Sequence, residues 1–117
     1  MQNVSLVICE KDNGKPYIGD FLDILDEEIY EKVTTKLKYF EMYPSRLELM
    51  KSKNVSPLDK ETGLYEIGFS MQGHWYRFLG EWVGESFHVV HAFRKKSNKT
   101  PKRHIETANN RLNWHCK

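Results

Sequence analysis

Apolar positions change their spacing twice along this chain, and the changes divide it into segments. The first run, VSLVIC at residues 4–9, is closed at once by Glu10, Lys11 and Asp12. Its length is that of a buried strand, far short of the roughly 20 residues a membrane-spanning helix needs, so neither a membrane span nor an export signal is read here. Asn13-Gly14 then marks a turn, and Lys15-Pro16 an extended residue ahead of a helix beginning near Tyr17. Across residues 20–42 apolar side chains return every three or four positions, at Phe21, Leu22, Leu25, Ile29, Val33, Leu37 and Phe40, which predicts a helical stripe facing a core. Asp26 divides the stripe as the N-cap of a second helix. Glu27 and Glu28 in its first turn and Lys36 and Lys38 in its later turns each match the helix dipole.

Pro44 ends that helix. The stretch up to Gly63 carries a weaker pattern, a short helix at 46–51 and then a polar connection through Asn54, Ser56, Pro57 and Asp59. From Leu64 the spacing changes again, to three short apolar and aromatic segments, LYEIGFS, HWYRFLGEWV and SFHVVHAF, separated by Met71-Gln72-Gly73 and Gly84-Glu85. These predict a three-stranded antiparallel meander with tight turns. Thr100 as N-cap, Pro101 in the first helical position and the stripe Ile105, Ala108, Leu112 predict a closing helix. The expected fold is α+β: a mostly antiparallel twisted sheet, made of the N-terminal strand plus the meander, with two N-terminal helices and a C-terminal helix. Helices are expected on one face of the sheet, with the other open.

The 117 residues suit one domain, 1–117, with a single core. Fifteen aromatic residues and 39% hydrophobic content exclude a disordered chain. The net charge of +2 is unevenly spread. Residues 1–60 hold nine Lys/Arg against eleven Asp/Glu, and residues 61–117 nine against five; six of the ten residues at 94–103 are basic. A basic block of that density points to a phosphate-bearing partner or to a solvated surface. Its position after the last strand and at a helix start adds free backbone N–H groups to the cations, which favours the phosphate. Two cysteines, Cys9 and Cys116, form neither a metal-ligand spacing nor a disulfide framework, so reduced thiols in a cytoplasm are expected.

Arg77 sits in the central meander segment among Trp75, Tyr76, Phe78 and Leu79. An arginine there must reach solvent, clamp a phosphate, or pair with Glu66 or Glu81. Trp75 would share its face and could stack a base or serve as core. RNA cleavage without a metal needs a proton acceptor for the ribose 2′-OH, a donor for the leaving 5′-oxygen, and cations for the phosphate. Of the meander histidines His74, His88 and His91, the last is nearest the basic block. Strand alternation puts His88 and His91 on opposite faces unless a bulge intervenes. No HExxH, cysteine–histidine zinc spacing or acidic triad occurs, nor GxSxG or a phosphate-binding glycine loop, so neither metal nor cofactor is expected.

The segments GLYEIGFS, WYRFLGEW and VVHAFRKKSNKTPKRHIETANNR, within residues 63–111, resemble the HigB-like, often phage-derived, branch of the RelE/ParE toxin superfamily. The upstream FLDILDEEIYEKVTTKLKYFE is similar to that family's paired helices, so the resemblance covers roughly residues 17–112. It implies a cytoplasmic type II toxin that enters the ribosomal A site and cuts mRNA there without a metal. It also implies a hetero-oligomer with a helix-turn-helix antitoxin encoded beside it. On the resemblance Arg77 contacts the scissile phosphate, Lys95 and Lys96 supply catalytic cations, and Lys99 is the lysine before Thr-Pro. His91 joins them as a catalytic candidate, and Arg94, Lys99, Lys102, Arg103 and Trp75 are expected to bind RNA. Glu66 and Gly68 stand where the superfamily carries basic residues, and His104-Ile105 where one subfamily has a tyrosine base, so His91, His104 and Tyr76 remain candidates for the base. Two other functions suit the same fold: a gyrase-poisoning ParE-like toxin, and a catalytically silent phage-encoded RNA-binding module.

Overall fold

The computed structural model describes residues 3–112. Within them the elements run β1 (Ser5–Ile8), α1 (Gly19–Asp23), α2 (Glu27–Phe40), α3 (Arg46–Met50), β2 (Val55–Asp59), β3 (Leu64–Met71), β4 (His74–Val83), β5 (Ser86–Lys95) and α4 (Lys102–Arg111). The five strands form one sheet in the order β1-β5-β4-β3-β2, in which β1 is parallel to β5 and the other pairs are antiparallel. The α+β class and the meander follow the apolar pattern.

The helix breaks also fall where the polar residues put them. The Asp26 carboxylate accepts the Ile29 N–H at 2.9 Å and starts α2, and the Ser45 hydroxyl accepts the Glu48 N–H at 3.2 Å and starts α3. One strand, β2, has no apolar run to announce it: Val55, Ser56 and Pro57 pair along β3 with largely exposed side chains. As the end strand of the sheet it has an unpaired edge, and a proline is tolerated there because its missing N–H costs no ladder bond.

Both faces of the sheet are covered, which corrects the expectation of an open one. On the first face Ile67, Phe69, Tyr76, Phe78, Phe87 and Val89 pack with Ile29, Val33 and Phe40 of α2 and Leu49 of α3. On the second, Leu64, Leu79, Val90 and Phe93 pack with Ala108 and Leu112 at the α4 end, and Ile105 joins them. The physical reason is the stripe on α4, which has nowhere else to be buried than against the apolar positions of that face. The turn between β2 and β3 adds polar ties: Asn109 donates to Asp59 at 3.0 Å and accepts from the Thr62 hydroxyl at 2.7 Å.

Three local expectations change. Thr100 is not the N-cap of α4; Pro101 is, without a side-chain bond, because the Thr100 hydroxyl is given instead to the buried Glu66 carboxylate. Tyr76 is 1% exposed in the α2 side of the core, stacked on Phe69, where a substrate hydroxyl cannot reach it. Cys9 is disulfide-bonded rather than a reduced thiol. The other cysteine, Cys116, lies outside the described residues, as do Trp114 and His115.

The β4–β5 register shifts between Leu79 and Gly80, so that β5 carries one extra residue there: Leu79 faces His91 while Gly80 faces Val89. A bulge of this kind turns two successive side chains to one face. Val90 packs on the α4 side, and His91 stays on that side with Phe93. Phe87 and Val89 belong to the opposite core, which leaves His88 on the α4 face as well. The bulge thus places His88 and His91 on one face, which strict alternation forbids.

Candidate functional site

Arg77 occupies the middle of the α4 face, opposite Gly68 on β3 and Phe93 on β5. Its Nη1 pairs with a Glu66 carboxylate oxygen, and its Nη2 donates to Asn98 Oδ1 in the connection between β5 and α4. The second Glu66 oxygen accepts the Thr100 hydroxyl. Glu66 and Arg77 are 4% and 7% exposed, and Arg77 Nε is buried with no hydrogen-bond partner among the described residues. Of the alternatives open to this arginine, the pair with Glu66 is the one formed. A Cβ at Gly68 would stand 2.9 Å from Nη1, so the glycine leaves the space in which the guanidinium lies. Trp75 lies against the same group, 5.1 Å from ring centre to Cζ.

A second cluster lies where α4 crosses β5. His91 Nε2 is 2.7 Å from His104 Nδ1, and Arg111 Nη1 stands 3.3 Å from His91 Nδ1 and 3.0 Å from the Val90 carbonyl oxygen. Phe93 stacks flat on His104 at 3.8 Å and 5°, while the Arg111 guanidinium rests 4.6 Å from the Tyr17 ring. Burial, with His104 and Arg111 beside it, pushes the His91 imidazole down to about 4. Burial, with Arg103 and Lys95 beside it, also holds His104 below the ordinary histidine range. Both rings are thereby favoured in the neutral form at pH 7.

These shifts have a consequence for stability. Above pH ~6.5 neither the folded nor the unfolded chain protonates His91. Below it the unfolded chain takes up a proton that the folded chain refuses, so stability falls as the pH drops towards about 4 and this contribution levels off beneath that. The full shift corresponds to roughly 3 kcal/mol, and partial exposure of the ring to water reduces the expectation to about 2 kcal/mol. Urea unfolding at pH 7 and pH 4.5 checks it: His91→Gln is expected to lose less stability than the parent between the two pH values. An equal loss in both would show that the pair does not carry the effect.

The basic block divides around these clusters. Lys95 faces Trp75 across the ladder and so shares the face of Arg77, whereas Arg94 faces Tyr76 and belongs to the opposite side. Lys96 and Lys99 are exposed on the connection, and Lys102 and Arg103 are exposed in the first turn of α4. The junction and the middle strand therefore meet on one face, joined by Asn98 and Thr100, with Arg94 left out. Asn98 and Arg111 have no role in the sequence reading, and Thr100 only that of an N-cap. For Arg111 a signal existed, since it stands seven residues after His104 and two helical turns bring both to one side of α4. For Asn98 there was none, because its partner is 21 residues away. An apolar groove of about 580 Å³ lies elsewhere, along α2 and the end of β3, lined by Lys32, Lys36, Tyr39, Phe69 and Met71 among others, without a histidine.

Residues 20–113 match the family described as Phage derived protein Gp49-like (DUF891). The chain belongs to that family. No curated protein and no solved structure matches it. Membership in the Gp49-like family bears out the phage-derived part of the resemblance, and the match spans every element from α1 onward apart from the first residue of that helix. Among the described residues of this Gp49-like protein no helix is long and apolar enough to cross a membrane.

Proposed function

We propose that this Gp49-like protein is the toxin of a type II toxin–antitoxin pair and cuts messenger RNA in the ribosomal A site by metal-independent chemistry. The observation that carries the reading is the meeting of Lys95, Arg103, His104 and His91 on one face: phosphate-attracting cations beside imidazoles kept neutral at physiological pH. Cleavage of this type moves protons at the 2′-OH and the 5′-oxygen and concentrates charge on the phosphate, which these residue types serve. Lys95, Lys96, Lys99, Lys102 and Arg103 hold the RNA backbone, and Trp75, half-buried beside Lys95, offers a ring to a base. The ribosome and a helix-turn-helix antitoxin encoded alongside come from the likeness to HigB-like toxins.

The test is cleavage of mRNA on programmed ribosomes. Lys95→Ala combined with Lys96→Ala is expected to slow cutting about a hundredfold, the cost of roughly 3 kcal/mol of lost charge stabilisation. Unchanged cutting and unchanged growth arrest on induction would refute the site. A second reading has an observation of its own: Arg77 is held by Glu66 and Asn98 beside Gly68, where a cleaving member of the resembled family would free that arginine for phosphate. On this reading the chain binds RNA without cutting it. Salt-sensitive RNA binding by the parent protein with intact mRNA on ribosomes selects it.

A further inference from the structure

We propose that Arg111 is a positioning residue which, through His91, fixes His104 as a hydrogen-bond donor towards an RNA phosphate; this rests on the RNA-directed reading of the site. The argument follows the protons along one chain of contacts. A guanidinium donates and never accepts. Arg111 Nη1 has two hydrogens, one directed at the Val90 carbonyl and the other at His91 Nδ1. His91 Nδ1 is therefore the accepting nitrogen, and the neutral ring carries its hydrogen on Nε2. That hydrogen is donated to His104 Nδ1 at 2.7 Å. His104 Nδ1 accepts in turn, so its own ring hydrogen resides on Nε2.

The opposite arrangement is penalised at its far end. If His104 presented a bare Nε2 as a base, its Nδ1 would hold the hydrogen, His91 Nε2 would accept, and His91 Nδ1–H would point at the Arg111 donor. A donor facing a donor loses a hydrogen bond and adds repulsion in a half-buried place. Phe93, stacked flat on His104, fixes the plane in which Nε2–H is presented. Burial, with Arg103 and Lys95 beside it, opposes a second proton on the same ring, so it acts as a neutral donor. Such a donor stabilises charge on the attacked phosphate without transferring its proton, and no bond to the ring forms or breaks.

Nitrogen-15 NMR of the whole uniformly labelled protein at pH 7 reads the tautomers directly. His91 and His104 are both expected as neutral Nε2–H rings. Arg111→Met, which keeps the stem and removes the donors, is expected to release both into mixed tautomers. It should slow RNA cutting roughly tenfold, less than the hundredfold expected for His104→Phe. His104→Gln, which retains an N–H donor, is expected to restore part of that rate. A parent spectrum with His104 as Nδ1–H, or tautomers indifferent to Arg111→Met, would overturn the assignment even if the variant folds poorly, because the first measurement needs no variant. Spectra as expected together with a parent protein that neither binds nor cuts RNA would instead take down the proposed function, and with it the phosphate as the partner of His104.

Discussion

Replacing Glu66 with alanine is expected to destabilise the fold by about 3–5 kcal/mol, the usual cost of removing one partner of a buried ion pair. Arg77 cannot follow its charge into water. It lies at 7% exposure in the middle of the sheet under the β5–α4 connection, with Nε already lacking a partner among the described residues. The same substitution removes the acceptor of the Thr100 hydroxyl, so the connection that carries Lys96 and Lys99 loses one anchor and keeps the bond of Asn98 to Arg77. Chemical denaturation reads the result as a lower midpoint at an unchanged slope. Because a buried pair often contributes little compared with apolar residues of the same volume, Glu66→Ala with Arg77→Met is expected to be more stable than Glu66→Ala alone. If the double variant is the less stable of the two, the energy does not lie in an orphaned charge. Gly68→Ala belongs to the same network, since the new methyl would press on Nη1 at 2.9 Å.

The same cluster marks how far the sequence could be read. Periodicity gave α2 and the meander because their apolar residues repeat against one large core, and Asp26 announced its cap by type and position. The edge strand β2 escaped because an exposed, proline-containing strand has no apolar alternation to show. Arg77 could be seen as a charge among aromatics with Glu66 as one of several outlets, but nothing in the sequence pointed to Asn98, 21 residues away. Glu66 and Gly68 looked like departures from a family pattern. In the structure they are complementary to each other, one supplying the counter-charge for the arginine and the other the space. His91 and His104 were each legible as candidates, yet their contact depends on where α4 lands, and that landing is set by Leu79, Val90 and Phe93 on the face that α4 covers. Cys9 was misread because its spacing in the sequence carries no sign of a disulfide.

Gly80→Ala is expected to cost about 4 kcal/mol, above the usual range for one added methyl group, because the obstacle is backbone. A Cβ at Gly80 would stand 1.9 Å from the His88 carbonyl oxygen and 3.1 Å from the Val89 Cα, closer than any rotamer change can relieve. Strands β4 and β5 would have to separate at the point where the register shifts. For a domain of this size the loss corresponds to a fall in melting temperature on the order of 15 °C. The effect should not stop at stability, because the bulge opposite Gly80 is what brings His91 to the side of His104 and lets Val90 offer its carbonyl to Arg111. Partial collapse of the bulge would slide β5 by one residue and send His91 to the α2 face. Gly80→Ala protein that remains folded at low temperature is therefore expected to lose the His91–His104 hydrogen bond, seen in nitrogen-15 NMR as loss of the ring-to-ring hydrogen-bond coupling. A folded variant that keeps this coupling would show that the pairing of the imidazoles does not depend on the bulge.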